Sequence, residues 1–503
     1  MKNVANPLLS SLTAMGTSRR SFLANVGAGM GSVALGSMLF RDGLLSAAEA
    51  GHGGGDEDSP PALHHAPKAK SVIWIFLIGG MSQMESFDPK PELTKYAGKT
   101  IEESPYKATL HSPYLKKNLR EVIEGLHKVH PKIYELQVGY RKYGASGLEM
   151  SDWWKTLGEW CADDLCLVRS MWTTDNNHGA QLQFHTGRHS LEGQHPTIGS
   201  WVHYGLGSLN DNLPQFVVMG TPVADCCGGA GAHGANYLGP RHNGIQLIVD
   251  PKNPLPFAAP DKAVYREEQA AEFNLLGKLN QLSAAEYPHD SALTARIKSY
   301  ELAYEMQAAV PEVVNFAAET AQTQQMYGLD NPTTREFAGQ CLAARRMVER
   351  GVRFIQLFHG SNGGAGAWDA HGNLKTGHSK LCGQIDRPIA GLIRDLKLRG
   401  LLNDTLVVIG TEFGRTPGAQ GSNGRDHHPY GFSVALAGGG IKGGITHGAT
   451  DELGFHAVEN RHYVTDLHAT LLYQLGLDPR RMELKGRKRL DVDFGVPIAE
   501  IMS

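Results

Sequence analysis

The chain is poor in cysteine, with six residues at positions 161, 166, 226, 227, 341 and 382 among 503. That is too few for a disulfide scaffold, and no spacing gives the CxxC pair of a structural zinc knuckle. The adjacent Cys226 and Cys227 read as buried or turn-forming thiols rather than as ligands. No basic tract is present, and 48 Lys+Arg against 51 Asp+Glu leave a formal charge of −3. This near balance argues against nucleic acid as a partner. Beyond the N-terminal region no stretch approaches the roughly 20 apolar residues of a spanning helix, so no stable membrane span is expected in the mature protein. Three fingerprints are missing as well: GxGxxG after a strand, GxxxxGK[ST] and GxSxG. Their absence sets aside Rossmann dehydrogenases, P-loop NTPases and the common α/β-hydrolases.

Glycine and histidine are plentiful instead, at 60 and 23 residues. The glycines indicate tight turns and irregular loops rather than coiled coil or helical repeat. Every histidine lies beyond residue 50, and so many neutral nitrogen ligands call for a metal-site search. Before them, Ser18-Arg19-Arg20-Ser21-Phe22-Leu23 leads into a mildly apolar, glycine-diluted run ending in Ala48-Glu49-Ala50. Paired arginines, a weak apolar region and a small-x-small ending read as a twin-arginine signal over residues 1–50. The expected partner is then the twin-arginine export machinery, and the expected location the periplasm or cell envelope. Residues 51–70 mix Gly, Pro and charge and read as a flexible linker, with His52, His64 and His65 adventitious.

From residue 71 onward, short β-branched runs predict buried strands at 71–78, 165–169, 215–219, 352–358, 405–409 and 432–437. Helical periodicity is clearest at 332–350 and 379–399, and a long Ala/Glu/Gln-rich segment at 262–327 reads as a helical insertion. Such alternation predicts one α/β domain over 71–503, a three-layer α/β/α sandwich with a mostly parallel central sheet. Ligand-type residues follow the strands: Glu85 and Asp88, then His359, Asp369 and His371, then Glu412 and Arg415, then Asp426, His427 and His428. The carboxyl edge of an open α/β sheet is where sites form. Asp, Glu and His gathered there suit a divalent metal better than a hydride-transfer cofactor.

The blocks GGMSQMESFDPKP, WDAHGN, TEFGRTP, GRDHHP and VTDLHATLLYQLGLD, together with the signal, resemble the domain-of-unknown-function 1501 family. These are exported bacterial proteins related to alkaline phosphatases and sulfatases, and the resemblance covers nearly all of 70–480. It implies an alkaline-phosphatase-like sandwich with one metal held by Asp369, His371 and either His427 or His428. For a second metal it offers Glu85, Asp88 and Glu412, but Phe413 replaces the imidazole that normally follows. Sulfatases of the class carry a nucleophile ahead of Thr-Gly-Arg. Here Asn177-His178 precedes Thr186-Gly187-Arg188, and Asn can neither become formylglycine nor attack phosphorus. Attack by metal-bound hydroxide is therefore expected, with His178 for proton transfer or as an imidazole nucleophile. Arg188 and Arg415 are expected to clamp the anion. The implied function is metal-dependent hydrolysis of a sulfate or phosphate ester, on a small molecule or polysaccharide, with zinc or manganese favoured over calcium. A non-catalytic envelope or carbohydrate-binding protein on the same fold is the alternative. Structural roles stay open for each residue: an Asx-turn at Asp369, capping or an ion pair with Arg415 at Glu412, pairing with Lys90 at Glu85 and Asp88, a core hydrogen bond at His359, and packing or capping at Asp466 and His468.

Overall fold

The computed structural model describes residues 63–112, 130–210, 212–255, 265–286, 291–482, 484 and 495–503. The expected signal at 1–50, and most of the expected linker, lie outside the described residues. The linker's last part is docked rather than free. His64 and Lys68 donate their backbone N–H groups to the Gly476 and Gln474 carbonyls at 2.9 and 2.8 Å.

Eleven strands position the site: β1 (Ser71–Leu77), β2 (Leu165–Trp172), β3 (Phe216–Met219), β4 (Ile245–Leu247), β5 (Phe354–His359), β6 (Thr405–Gly410), β7 (Gly414–Gln420), β8 (Gly424–His428), β9 (Phe432–Ala437), β10 (Ile445–His447) and β11 (His462–Tyr463). Nine of them form one sheet in the order β10-β2-β9-β6-β1-β5-β3-β4, with β11 also on β2. Only β9 runs against its neighbours, β2 and β6, so the sheet is mostly parallel as the sequence predicts. All seven residues of β1 are buried. A strand covered on both faces has no reason to alternate polar and apolar residues, which is why SVIWIFL is continuously apolar.

Helices close both faces. On one side Ile73, Ile75 and Leu77 pack with Leu342 of α5 (Arg335–Glu349) and Ile389 and Ile393 of α6 (Leu374–Leu398). On the other, Val72, Trp74 and Phe76 meet Phe184 of α1 (Gly179–Thr186), Val202 of α2 (Ile198–Leu206) and Leu471 of α7 (Val464–Gln474). The expected insertion at 262–327 consists, among the described residues, of α3 (Arg266–Glu286), α4 (Ser291–Val314) and a short helix Ala321–Tyr327. Met306, Val310 and Val313 of α4 join the core on the α5–α6 side.

Parallel pairing sets Leu77 beside His359 and Phe76 beside Gly410, so β1, β5 and β6 end at one edge. Their following loops meet there. Trp368 donates its backbone N–H to the Ile78 carbonyl at 3.1 Å, and a Cβ at Gly79 (φ +119°) would come 2.5 Å from the Asp369 nitrogen. Only glycine fits this left-handed, crowded position. Outside the main sheet, β7 and β8 form an antiparallel hairpin whose register jumps between Arg425 and His427. The excess residues of β7, around Pro417 and Gly418, bulge outward and pair with 132–134. Pro417 lacks an N–H, which suits it to a bulge.

Candidate metal centre

Four chain segments deliver side chains to one point beyond the sheet's carboxyl edge. Asp369 and His371 come from the loop after β5, His427 from β8, and Glu412 from the residues after β6. His178, six residues after the end of β2, immediately precedes the first turn of α1. Asp369 is the hub. Its Oδ1 lies 3.0 Å from His427 Nε2, 3.0 Å from His371 Nε2 and 2.8 Å from the Arg415 guanidinium. Its Oδ2 lies 3.2 Å from His178 Nε2, and the Nε2 atoms of His371 and His427 are 3.0 Å apart.

The far nitrogen of each imidazole is committed to an acceptor. His427 Nδ1 faces the Asn176 carbonyl at 3.0 Å, and His178 Nδ1 faces Glu412 Oε1 at 3.2 Å. His371 Nδ1 faces Gln420 Oε1, with Asp426 Oδ1 at 3.5 Å behind it. An acceptor at Nδ1 fixes the proton there, so in the neutral ring Nε2 presents a lone pair. Three such lone pairs thus point at a carboxylate. Acceptors facing acceptors repel unless a cation lies among them. Two ligands about 2.0–2.1 Å from a tetrahedral zinc ion stand about 3.3 Å apart, close to the 3.0–3.2 Å seen here. Two triads satisfy metal-holding geometry, His178-Asp369-His427 and His371-Asp426-His427. The donor set fits a divalent cation.

Without a cation, protons do part of its work. Burial alone would lower His178, but hydrogen bonds to Asp369 and Glu412 outweigh it and raise the ring to about 8. The hydrogen bond to Asp369 raises His371 too. Burial dominates at His427 and holds it well below the usual imidazole range. Burial also opposes the Asp369 charge, yet His178, His371, His427 and Arg415 together hold that carboxyl far below normal. His371 is the most open of the set, its side chain 36 % exposed against 10 % for His178 and 2 % for His427.

The remaining expected residues present no metal ligand to this point. His428, one position from His427, points the other way, gives Nε2 to the Phe455 carbonyl and stacks on that ring at 4.3 Å. Successive side chains of a strand face opposite sides, so one of the pair reaches the centre. Glu85 is fully buried against Arg425 at 2.7 Å, and Asp88 pairs with Lys90 at 3.0 Å and Thr450. Neither joins the cluster, because a cationic partner has already met each carboxylate. Arg415 is fully buried. Its guanidinium goes to the carbonyls of Gly79, Gly80, Trp368 and Arg425 and to Asp369, so it ties loops together. The Thr186-Gly187-Arg188 segment is the C-terminal end of α1, with Gly187 left-handed at φ +73°. Eight residues of helix, ~12 Å, separate Arg188 from His178. Asn177 accepts the His178 N–H on its own side-chain oxygen at 2.8 Å, a turn role. His359 is the half-buried last residue of β5, accepting from Trp368 Nε1 at 3.2 Å, and Asp466 caps the Val496 N–H at 2.8 Å.

Sequence reasoning counted Asp426 among the ligand-type residues but gave it no place in the metal set, and it missed His130, whose Nε2 lies 2.9 Å from Asp426 Oδ2. It also missed Gln181, which donates to Glu412 at 3.1 Å, and Gln420. Asp426 sits inside GRDHHP, but the other three lie outside every metal-type motif.

The fold has distant likenesses among solved structures. A PsFucS1 sulfatase from Pseudoalteromonas sp. matches at 12 % identity and TM-score 0.30, over 68 % of this chain and 65 % of the sulfatase. The chain therefore spans slightly less than two thirds of that protein's length. An alkaline phosphatase from the Antarctic bacterium TAB5 matches at 8 % identity and TM-score 0.32, over 83 % of this chain and all of the phosphatase. Likenesses at that level decide nothing about the chain's chemistry. Among curated proteins none matches. The family described as "Protein of unknown function (DUF1501)" matches across residues 69–502, nearly the whole of the described chain, and the chain belongs to that family.

Proposed function

We propose that the Asp369 cluster is a divalent-metal centre and that the protein hydrolyses sulfate or phosphate esters there. The observation that carries this reading is the set of three imidazoles, each facing an acceptor through Nδ1, whose Nε2 atoms converge on one carboxylate. His178, His371, His427 and Asp369 would hold the ion. A divalent cation supplies a Lewis acid that polarises an ester oxygen and acidifies water. Three imidazoles favour zinc or manganese over calcium, which takes oxygen ligands.

The chain's own groups orient and exclude. Glu412, held by the Gly79 N–H at 3.2 Å and Thr411 Oγ1 at 3.1 Å, fixes the His178 ring. The Asn176 carbonyl does the same for His427, and Gln420 for His371. Such outer partners set tautomer and ring angle and raise ligand basicity. Arg415 holds the Asp369 carboxylate in place. Water and substrate enter past His371, the exposed member. With both its nitrogens on carboxylates, His178 serves as a ligand in this reading rather than as a nucleophile.

Elemental mass spectrometry on the folded protein tests the centre. One zinc or manganese per chain is expected, lost in Asp369→Ala and in His427→Ala. A wild-type chain that takes up no metal on reconstitution sinks it. Loaded protein that turns over neither aryl phosphates nor aryl sulfates would retain the centre and overturn the hydrolase. Export through the twin-arginine route completes the proposal. Arg19→Lys with Arg20→Lys should strand the protein in the cytoplasm by cell fractionation.

A further inference from the structure

The loop between β3 and β4 packs on the helix that His178 opens, and it carries two thiols that the metal centre does not use. We propose that Cys226 and Cys227 form a reversible vicinal disulfide by exchange with a small-molecule disulfide, a redox-active dithiol seated against α1.

The turn is built to bring the sulfurs together. Asp225–Cys227 is a single 3-10 turn followed by two left-handed glycines, Gly228 at φ +117° and Gly229 at φ +49°. The Ala224 carbonyl accepts from both the Cys227 and Gly229 N–H groups, at 2.9 and 3.0 Å. A Cβ at Gly228 would touch Leu182 of α1 at 3.2 Å, which places the turn one helical turn from His178. Side chains of consecutive residues normally diverge. Here the two Sγ atoms are 2.7 Å apart. Ordinary nonbonded contact needs ~3.5–4 Å, whereas a formed bond measures ~2.0 Å.

Exposure separates the two roles: Cys226 is exposed and Cys227 is buried. Burial pushes the Cys227 thiol up, and the neighbouring sulfur and the Glu412 and Asp369 carboxylates add to it. Cys226 is the sulfur an external disulfide RSSR reaches. Its thiolate attacks one sulfur of RSSR and expels RS⁻. Cys227 sulfur then attacks Cys226 sulfur and expels the second RS⁻. The two thiol protons end on the two RS⁻ groups, so RSSR is reduced to 2 RSH as the protein dithiol is oxidised. Adjacent Cα atoms are ~3.8 Å apart, below the ~4.4–6.8 Å of unstrained disulfides. The ring is therefore easily reduced, as labile rather than structural disulfides are. The other four cysteines, 161, 166, 341 and 382, are buried and cannot compete.

The full chain is treated with oxidised glutathione or with dithiothreitol, denatured without reductant, alkylated and weighed intact. All six cysteines should label after dithiothreitol and two fewer after glutathione disulfide, with a peptide spanning 226–227 lighter by two hydrogens. Cys226→Ser should lose the difference and label five times in both arms. Six labels in the oxidised wild type, a lasting glutathione adduct on Cys226, or two labels still lost in Cys226→Ser would each overturn the proposal.

Discussion

Two of the buried charge clusters among the described residues have contacts of opposite kinds. On α5, Arg345 is surrounded by Glu319 at 2.7 Å, Glu349 at 2.8 Å and Asp395 at 2.9 Å, and the Tyr327 hydroxyl donates to Asp395 at 2.9 Å. Donors there meet acceptors, and the cluster completes itself. Around Asp369 the Nδ1 atoms already face acceptors on the outside, so with neutral rings the centre is crowded with lone pairs. A self-complementary cluster belongs to the fold. One with surplus acceptors is completed by a cation from outside.

Arg345→Met breaks the first cluster and should show the largest effect on folding. It strands carboxylates in the interior, and removing one partner of such a set costs ~3–5 kcal/mol. Denaturant midpoints should fall at unchanged slope while metal content stays as in the wild type. A loss under ~1 kcal/mol would put this network with surface ion pairs. The Asp369 cluster should behave the other way round. Zinc at about a hundred times its dissociation constant should stabilise the wild type by ~2.7 kcal/mol, and His427→Ala should abolish that gain. His428→Gln, one residue further on, should keep it, because His428 is spent on Phe455. Thermal melts with and without zinc separate the neighbours.

That last contrast shows where the sequence stops being readable. Strand positions were legible because a strand covered on both faces is continuously apolar, as SVIWIFL is, and parallel order then carried the Asp369 and Glu412 segments to one edge. Which of His427 and His428 turns inward depends on the register of a hairpin whose bulge pairs with residues 132–134. No local pattern encodes it. Glu85 and Asp88 follow a strand as ligands would, yet Arg425, 340 positions away, claims Glu85. The orienting groups were illegible for another reason. A backbone carbonyl at Asn176 and amides at Gln181 and Gln420 have no sequence signature, although they fix every ring.

The role of those orienting groups is testable at one residue. Gln420→Ala removes the near acceptor of His371 Nδ1 and leaves Asp426 at 3.5 Å. Losing such a partner weakens metal binding about 10–100-fold, read by competition with a chelating dye, with metal-free stability nearly unchanged. Unaltered affinity would mean that Asp426 alone orients the ring.

Acidity distinguishes the clusters most finely. In metal-free protein His178 titrates near 8, above its ordinary 6.5. A raised folded-state value means the imidazolium stabilises fully below pH 6.5 and loses that contribution as pH climbs through 8. The metal-free fold should therefore weaken across this window, by at most ~2 kcal/mol at 1.36 kcal/mol per unit. Protons and cation compete for the same Nε2. Metal affinity should accordingly rise with pH over the same window, about tenfold per unit for the proton on His178, and flatten above pH 8. The stability curve with chelator then falls between pH 6.5 and 8 while the curve with saturating zinc stays level, because the metal-bound fold holds no proton on His178 to lose, and His178→Gln flattens the first. Curves that run parallel would mean that no cation enters where these lone pairs meet.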